Sequence, residues 1–251
     1  MFVFPYRPVF IGVSMEKYDA IFIDIDDTIL DFSKCSFSSV KKSFADFDYD
    51  ISDTEYADFF GKFMAHNLAL WNKVELGLME KSELHRTRFS SAFALFGING
   101  LDGIEFEKRY RVHLANSYEK VAGADEFLSY LSSKYPLFTA SNAPHNQQIV
   151  RLTASNLLGY FTEIYTSELI GSEKPKKEFF DECFTRAQKF FDSPLLPSRC
   201  VMIGDSLSAD VVGGNDYGMT TVWFNIYSTT NDGIASPDYT INSLVEIKDI
   251  L

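Results

Sequence analysis

Two hydrophobic rhythms divide the chain. Residues 20–23, Ala-Ile-Phe-Ile, form an unbroken apolar run that turns abruptly acidic at Asp24, Asp26 and Asp27. Residues 200–203, Cys-Val-Met-Ile, and residues 220–224 repeat that texture, with a further run at 136–140. Short apolar runs of this kind predict strands buried on both faces, as inside a parallel sheet. Helical segments are expected between them, at about 125–133, 145–157, 175–191 and 208–216, with Pro175 at a tolerated first-turn position. A short strand is expected near 163–166, and residues 239–251 read as a short strand and a closing helix.

Between about residues 36 and 120 the rhythm is helical throughout. Phe59, Phe60, Phe63, Met64, Leu68 and Trp71 recur three and four apart, as an amphipathic helix requires. A second helix fits 82–96, closed by Gly97, and a third fits 105–120. Asp53 with Tyr56, and Ser82 with Glu83, mark helix starts. A helical block of roughly ninety residues lying between strands reads as an insertion into an α/β domain. The expected architecture is a doubly wound parallel-sheet, Rossmann-like α/β core over 15–32 and 122–251, with an all-helical domain over 33–121. Residues 1–14 form an apolar arm broken by Pro5, Arg7 and Pro8, too short to span a bilayer and without a basic lead-in. Its role is open.

Composition narrows the partners. With 251 residues and 46% hydrophobic content the chain can bury a sizeable core, and its 24 phenylalanines read first as core packing. A net charge of -12 and a pI near 4.8 argue against nucleic acid or an anionic membrane as partner. They leave room for a phosphorylated small molecule, because a metal ion inverts the local sign of the field. Cys35, Cys183 and Cys200 are an odd set without C-x-x-C spacing, which suits buried thiols in a reducing cytoplasm. A monomer and a homodimer are equally compatible with this composition.

The candidate chemistry lies directly after the predicted strands. Asp24 and Asp26, two apart, face one side of the chain together. Two carboxylates held close repel unless a cation or a shared proton relieves them. Ser141-Asn142 follows a second strand, Asp205-Ser206 with Asp210 a later one, and Lys174-Pro175 precedes a helix. Taken alone, Ser141-Asn142 reads as a helix-entry turn, Lys174 as a surface lysine and Asp205 as a helix cap. In a parallel sheet, however, these strand ends are neighbours at the carboxyl edge, where open α/β folds bind ligands.

In this order, Asp24-x-Asp26-x-Thr28, Ser141, Lys174-Pro175 and Gly204-Asp205 with Asp210 resemble the four motifs of the haloacid dehalogenase superfamily. The resemblance runs from about Tyr18 to the end, with the helical block where that family places its cap. Asp26 is similar to the second aspartate of the phosphatase and phosphomutase members, which dehalogenases lack. The resemblance implies Asp24 as nucleophile, forming an aspartyl phosphate, and Asp26 as acid and then base. It implies magnesium held by the Asp24 carboxylate, the Asp26 main-chain carbonyl and Asp205, with Asp210 as an outer orienter. Two unit charges ~4 Å apart cost ~4 kcal/mol at an effective dielectric of ~20, which is the repulsion such an ion would offset. Thr28, Ser141, Asn142 and Lys174 would serve the phosphate, Thr28 by holding the first loop and Asn142 through its backbone N–H.

Within the superfamily, Leu70-Trp71, Glu75-Leu-Gly77, Arg86 and Phe89 resemble the cap of the pyrimidine 5′-nucleotidase branch, and in the core the run 211–225, with Gly213-Gly214 and Trp223-Phe-Asn225, is similar to that branch too. That implies a nucleoside monophosphate substrate, with Trp71 and Phe89 as candidates to stack on a base. The plain alternative is that both rings pack the helical domain, and that Gly213 and Gly214 let a helix approach the sheet. Rival readings are a sugar-phosphate phosphatase or phosphomutase, which shares every core residue, and a binding protein that keeps the fold without turnover. A pure binder has no need of Asp26. A receiver-type phosphoacceptor needs only about half this length and no cap.

Overall fold

The computed structural model describes residues 17–231, 233 and 235–251, so the arm at 1–14 lies outside the described residues. The chain divides into two compact units, one of residues up to Asp31 together with Lys120–Leu251, the other Phe32–Glu119.

In the first unit five strands lie side by side in the order β2-β1-β3-β4-β5. They are β1 (Ala20–Ile23), β2 (Leu137–Thr139), β3 (Cys200–Gly204), β4 (Thr220–Phe224) and β5 (Tyr239–Ile241). Every neighbouring pair is parallel, in register through Ile21 with Leu137 and Val201, Ile203 with Val222, and Phe224 with Ile241. Strand order reverses on the two sides of β1, so a crevice opens at its carboxyl end.

The period-two alternation of β1 explains why both faces are covered. Ile21 and Ile23 join Phe127, Leu128, Leu131 and Leu244 on one face. Ala20 and Phe22 join Phe138, Phe179, Phe180 and Phe184 on the other, with Phe22 stacked 5.3 Å from Phe138 and 5.2 Å from Phe184. The α-helices of this unit are α5 (Ala124–Lys134), α6 (His145–Ala154), α7 (Ser167–Ile170), α8 (Lys177–Ala187) and α9 (Val212–Tyr217), the last preceded by a π-helical turn, Leu207–Val211. Gly214 lets α9 reach the sheet: a Cβ there would lie 2.7 Å from Thr221 Cγ2 and 3.0 Å from Met202 Cβ. The expected strand at 163–166 is reduced to isolated bridges, Phe138 with Glu163 and Ser141 with Thr166. The reason is local: Tyr165 N donates to Thr139 Oγ1 at 2.8 Å, so a side chain interrupts the ladder.

The second unit is helical: α1 (Phe32–Asp46), α2 (Asp53–Glu75), α3 (Lys81–Phe96) and α4 (Gly103–Ala115). Helix α1 starts before the expected periodicity, and α4 ends short of residue 120. The α2 start is a capping box of Ser52 with Glu55, one residue ahead of the expected Asp53. Gly97 closes α3 in the left-handed conformation, as expected. Phenylalanines fill the core, with Phe44, Phe59, Phe63, Phe89, Phe93 and Phe106 in one cluster. One polar network is buried among them. Arg88 of α3 grips Glu107 of α4 through Nε (3.0 Å) and Nη2 (2.7 and 2.8 Å), and its Nη1 donates to Asn67 of α2 at 3.1 Å. Three helices are thereby tied by one guanidinium. Among the described residues no helix is long and apolar enough to cross a membrane.

Removing one partner of a buried ion pair strands the other charge, whereas replacing both with apolar groups is close to neutral. Arg88→Met is therefore expected to lower stability by about 3–5 kcal/mol. Arg88→Met combined with Glu107→Leu should recover most of that loss in urea unfolding, and additive losses would contradict it.

Candidate active site

β1 delivers Asp24 to the crevice, where its N–H still donates to Ile203 O of β3 at 2.9 Å. The chain then folds tightly back. The N–H groups of Ile29 and Leu30 both donate to Ile25 O, at 3.0 and 2.9 Å, and Asp27 takes φ 56°, a left-handed conformation that aspartate tolerates. Thr28 is fully buried inside this turn, and its hydroxyl has no hydrogen-bond partner among the described residues.

Lys174 occupies the centre. Its buried ammonium donates to Asp24 Oδ1 at 2.7 Å and to Asp210 Oδ1 at 2.5 Å. The backbone of Lys174 is fixed by Asn142, whose Nδ2 donates to Lys174 O (3.0 Å) while its Oδ1 accepts from Lys174 N (2.9 Å). The Asn142 side chain is thus a clasp between two loops rather than a group pointing at a ligand. Ser141 Oγ accepts from Ala143 N and from Gln148 Nε2, both at 3.2 Å.

Asp210 comes from the π-helical turn, which Ser206 caps: Ala209 N donates to Ser206 Oγ at 3.1 Å, and Asp210 Oδ2 accepts from Ser206 N at 3.0 Å. Such widened turns recur at functional sites because they re-aim one side chain. Gly204 makes room for it, since a Cβ there would sit 2.0 Å from Asp210 Oδ2. Trp223 of β4 steadies the neighbouring loop, its indole N–H donating to Asp205 O at 2.8 Å.

Asp24, Asp205 and Asp210 each bring an oxygen within 4.8 Å of the others. One ammonium cannot neutralise three carboxylates. Burial, followed by Asp210 and Asp26 and opposed by Lys174, holds the Asp24 carboxyl well above the usual carboxylate range. Burial, followed by Asp27, Asp24 and Asp210, does the same to Asp205. Burial works against the charge on Lys174, but Asp210 and Asp24 outweigh it and raise the lysine. An all-oxygen set with surplus negative charge fits a hard divalent cation.

The Asp26 carboxylate does not join this cluster. Arg151 Nη1 donates to its Oδ1 at 2.5 Å and Gln148 Nε2 to its Oδ2 at 2.7 Å. Reading the sequence missed Arg151 and Gln148, and it marked Trp223 only as part of the Trp-Phe-Asn run, without its role beside Asp205. The available signal was two long polar side chains three apart on a helix that covers a buried sheet.

Of the two base-stacking candidates, Trp71 is half-buried beside Leu70, Val74 and Leu84, edge-on to His85. Phe89 needs correction. It is 1% exposed, stacked 4.7 Å from Phe63 and tilted 4.7 Å from Phe106, so its faces are committed to the helical core.

Residues 18–218 match the family model for haloacid dehalogenase-like hydrolases. The HAD-hydrolase YfnB of Bacillus subtilis is 32% identical over 94% of this chain and 97% of its own length. Its crystal structure bound to magnesium, which reveals interdomain movement, superposes with a TM-score of 0.84, covering 94% of this chain and 99% of that one. The pyrimidine 5′-nucleotidase PynA of Streptococcus pneumoniae is 32% identical over 93% of this chain and 95% of its own. The pyrimidine 5′-nucleotidase YjjG of Escherichia coli is 28% identical over 94% and 98%.

Two outcomes follow from the geometry. Gly204→Ala should push Asp210 off Lys174 and cost about 1–3 kcal/mol, read as a fall in melting temperature of about 2–4 °C per kcal/mol. For pH, a carboxyl whose folded pKa is raised costs nothing below its unfolded value and progressively destabilises the fold as pH climbs through the folded one. Asp205→Asn should therefore raise the melting temperature of cation-free protein near neutrality and flatten its decline from the ordinary carboxylate range upward. It should also shrink the stabilisation by added divalent cation; melts from acid to neutral pH check both.

Proposed function

The chain belongs to the haloacid dehalogenase-like hydrolases, and on that footing we propose that it is a magnesium-dependent phosphomonoesterase acting on pyrimidine nucleoside 5′-monophosphates. The observation that carries the reaction is the division between two aspartates only two residues apart. Asp24 sits against Lys174 in the acidic cluster, while Asp26 is turned onto Arg151 and Gln148. Two carboxylates in contrasting environments are suited to two roles, nucleophile and acid/base.

Asp24, Asp205 and Asp210 are the residues that would hold magnesium, with the Asp26 main-chain carbonyl as a further donor. Bound there, the ion supplies the positive charge that lets a carboxylate approach a phosphoryl dianion. The chain's own residues do the rest. An Asp24 oxygen bonds to phosphorus as the ester P–O bond breaks, and Asp26 gives a proton to the departing oxygen. Asp26 then takes a proton from water, whose oxygen attacks phosphorus, releasing phosphate and restoring Asp24. Lys174 stays protonated beside Asp24 and offsets charge on the transferring group. Ser141 has both lone pairs filled by Ala143 and Gln148, leaving its hydrogen for a phosphoryl oxygen.

The substrate class rests on likeness to PynA and YjjG, both pyrimidine 5′-nucleotidases. Cys35, Cys183 and Cys200 are buried free thiols, which supports a cytoplasmic setting.

Phosphate release should be measured over nucleoside monophosphates and sugar phosphates, with and without magnesium, beside Asp24→Asn. The expected result is magnesium-dependent release that favours UMP, dUMP or dTMP and falls about 10³-fold or more in the variant. A preference for sugar phosphates would overturn the substrate class, and release undiminished in Asp24→Asn would overturn the mechanism.

A further inference from the structure

Arg151 is the largest fully buried charged side chain among the described residues, and it lies on α6, outside the motifs that mark the site. A guanidinium taken wholly out of water must be paired, and its pairing here is specific. Nη1 carries two hydrogens. One goes to Asp26 Oδ1 at 2.5 Å, the other to Gln148 Oε1 at 3.1 Å. The Gln148 amide nitrogen splits its two hydrogens in the same way, to Asp26 Oδ2 at 2.7 Å and to Ser141 Oγ at 3.2 Å. Every one of these atoms is used in the only sense its chemistry allows. A flipped Gln148 amide would set its oxygen against the carboxylate and its nitrogen against the guanidinium.

Gln148 and Arg151 are three apart on one helix, so they share a face and move as a unit. Together they supply one donor to each oxygen of Asp26, which fixes the plane of the carboxylate as well as its position. The same amide fills one of the two Ser141 lone pairs, and Ala143 N fills the other. The direction of the Ser141 hydrogen is therefore set by the device that sets Asp26.

Resting on the phosphatase reading above, we infer that Gln148 and Arg151 are positioning residues: a bracket on α6 that aligns the acid/base carboxylate of Asp26 and the phosphoryl-binding hydroxyl of Ser141 together. Neither touches the reacting atoms. Arg151 acts through Asp26, and Gln148 acts through both Asp26 and Ser141. The two residues consequently differ in their kinetic signatures. Loss of Arg151 removes a direct constraint on the proton-transfer group and reaches Ser141 only at second hand, through Gln148, whereas loss of Gln148 directly loosens a group that binds the phosphoryl oxygens as well.

The test is a double-mutant cycle on the magnesium-loaded full chain, with the best phosphomonoester from the release screen. Arg151→Met should lower kcat about tenfold to a hundredfold while KM stays within about twofold, a fraction of what general acid–base catalysis supplies. In an Asp26→Asn background the same substitution should cost less than about twofold. Gln148→Met should lower kcat and raise KM. Arg151→Lys, which keeps the charge but not the paired donors, should fall between wild type and Arg151→Met. Equal losses from Arg151→Met in both backgrounds would show a general structural role and overturn the bracket alone. Full activity in Asp26→Asn would overturn the acid/base reading of Asp26, and the bracket with it. Should Arg151→Met fail to fold by circular dichroism, Gln148→Met carries the cycle on kcat alone: its kcat loss should shrink in the Asp26→Asn background while its rise in KM, which comes through Ser141, persists, and an undiminished kcat loss would overturn the bracket.

Discussion

Three carboxylates crowd together beyond the carboxyl ends of β1 and β3 with one ammonium bonded to two of them, and much of the α/β unit is arranged to keep them there. Lys174 reaches them because Asn142 clasps its backbone from another loop. Asp210 reaches them because a widened helical turn aims it inward and Gly204 has no side chain to obstruct it. Asp205 is steadied through its carbonyl by Trp223. Left alone, the cluster opposes folding, since burial and mutual repulsion both disfavour ionised Asp24 and Asp205. The fold tolerates that opposition because two well-filled apolar layers enclose the sheet. Stability given up at one edge for a reactive charge distribution is a frequent compromise at functional sites.

Much of this was readable from the chain, for a physical reason. Parallel strands buried on both faces must be continuously apolar, so the first polar residues after each run mark the sheet edge without ambiguity. Asp24, Ser141 and Asp205 were found in that way. Gln148 and Arg151 were hidden because a helix lying on a sheet carries polar residues on most of its surface, and only three dimensions show which turn inward. Trp223 was noted in its Trp-Phe-Asn run, but its grip on the Asp205 loop was hidden for the opposite reason, since it reads as one more apolar residue in a strand. Phe89 stood open between stacking on a base and packing the helical domain because a ring spaced for a helix face does not declare whether that face meets a ligand or a neighbouring helix; the structure gives the packing. The expected strand at 163–166 failed on a single hydroxyl, that of Thr139, which no pattern of hydrophobicity encodes.

The helical unit has its own aromatic core and its own buried ion pair, so its fold rests on contacts within Phe32–Glu119. The residues proposed for phosphoryl chemistry all come from the other unit. That partition lets the surface of the helical unit vary without disturbing the groups around phosphorus, a route by which one fold comes to serve many substrates.

The chain has two tryptophans, and they fall one in each unit. Trp223 is a single hydrogen bond away from the Asp205 loop, while Trp71 lies edge-on to His85 in the helical unit. Indole emission responds to charge and hydrogen bonding around the ring, so the protein carries a built-in optical label for each of its halves. With Trp71 replaced by phenylalanine and excitation to the red of the tyrosine band, the remaining indole emission would belong to the loop beside the acidic crevice alone, and events there could be followed in real time without any added dye.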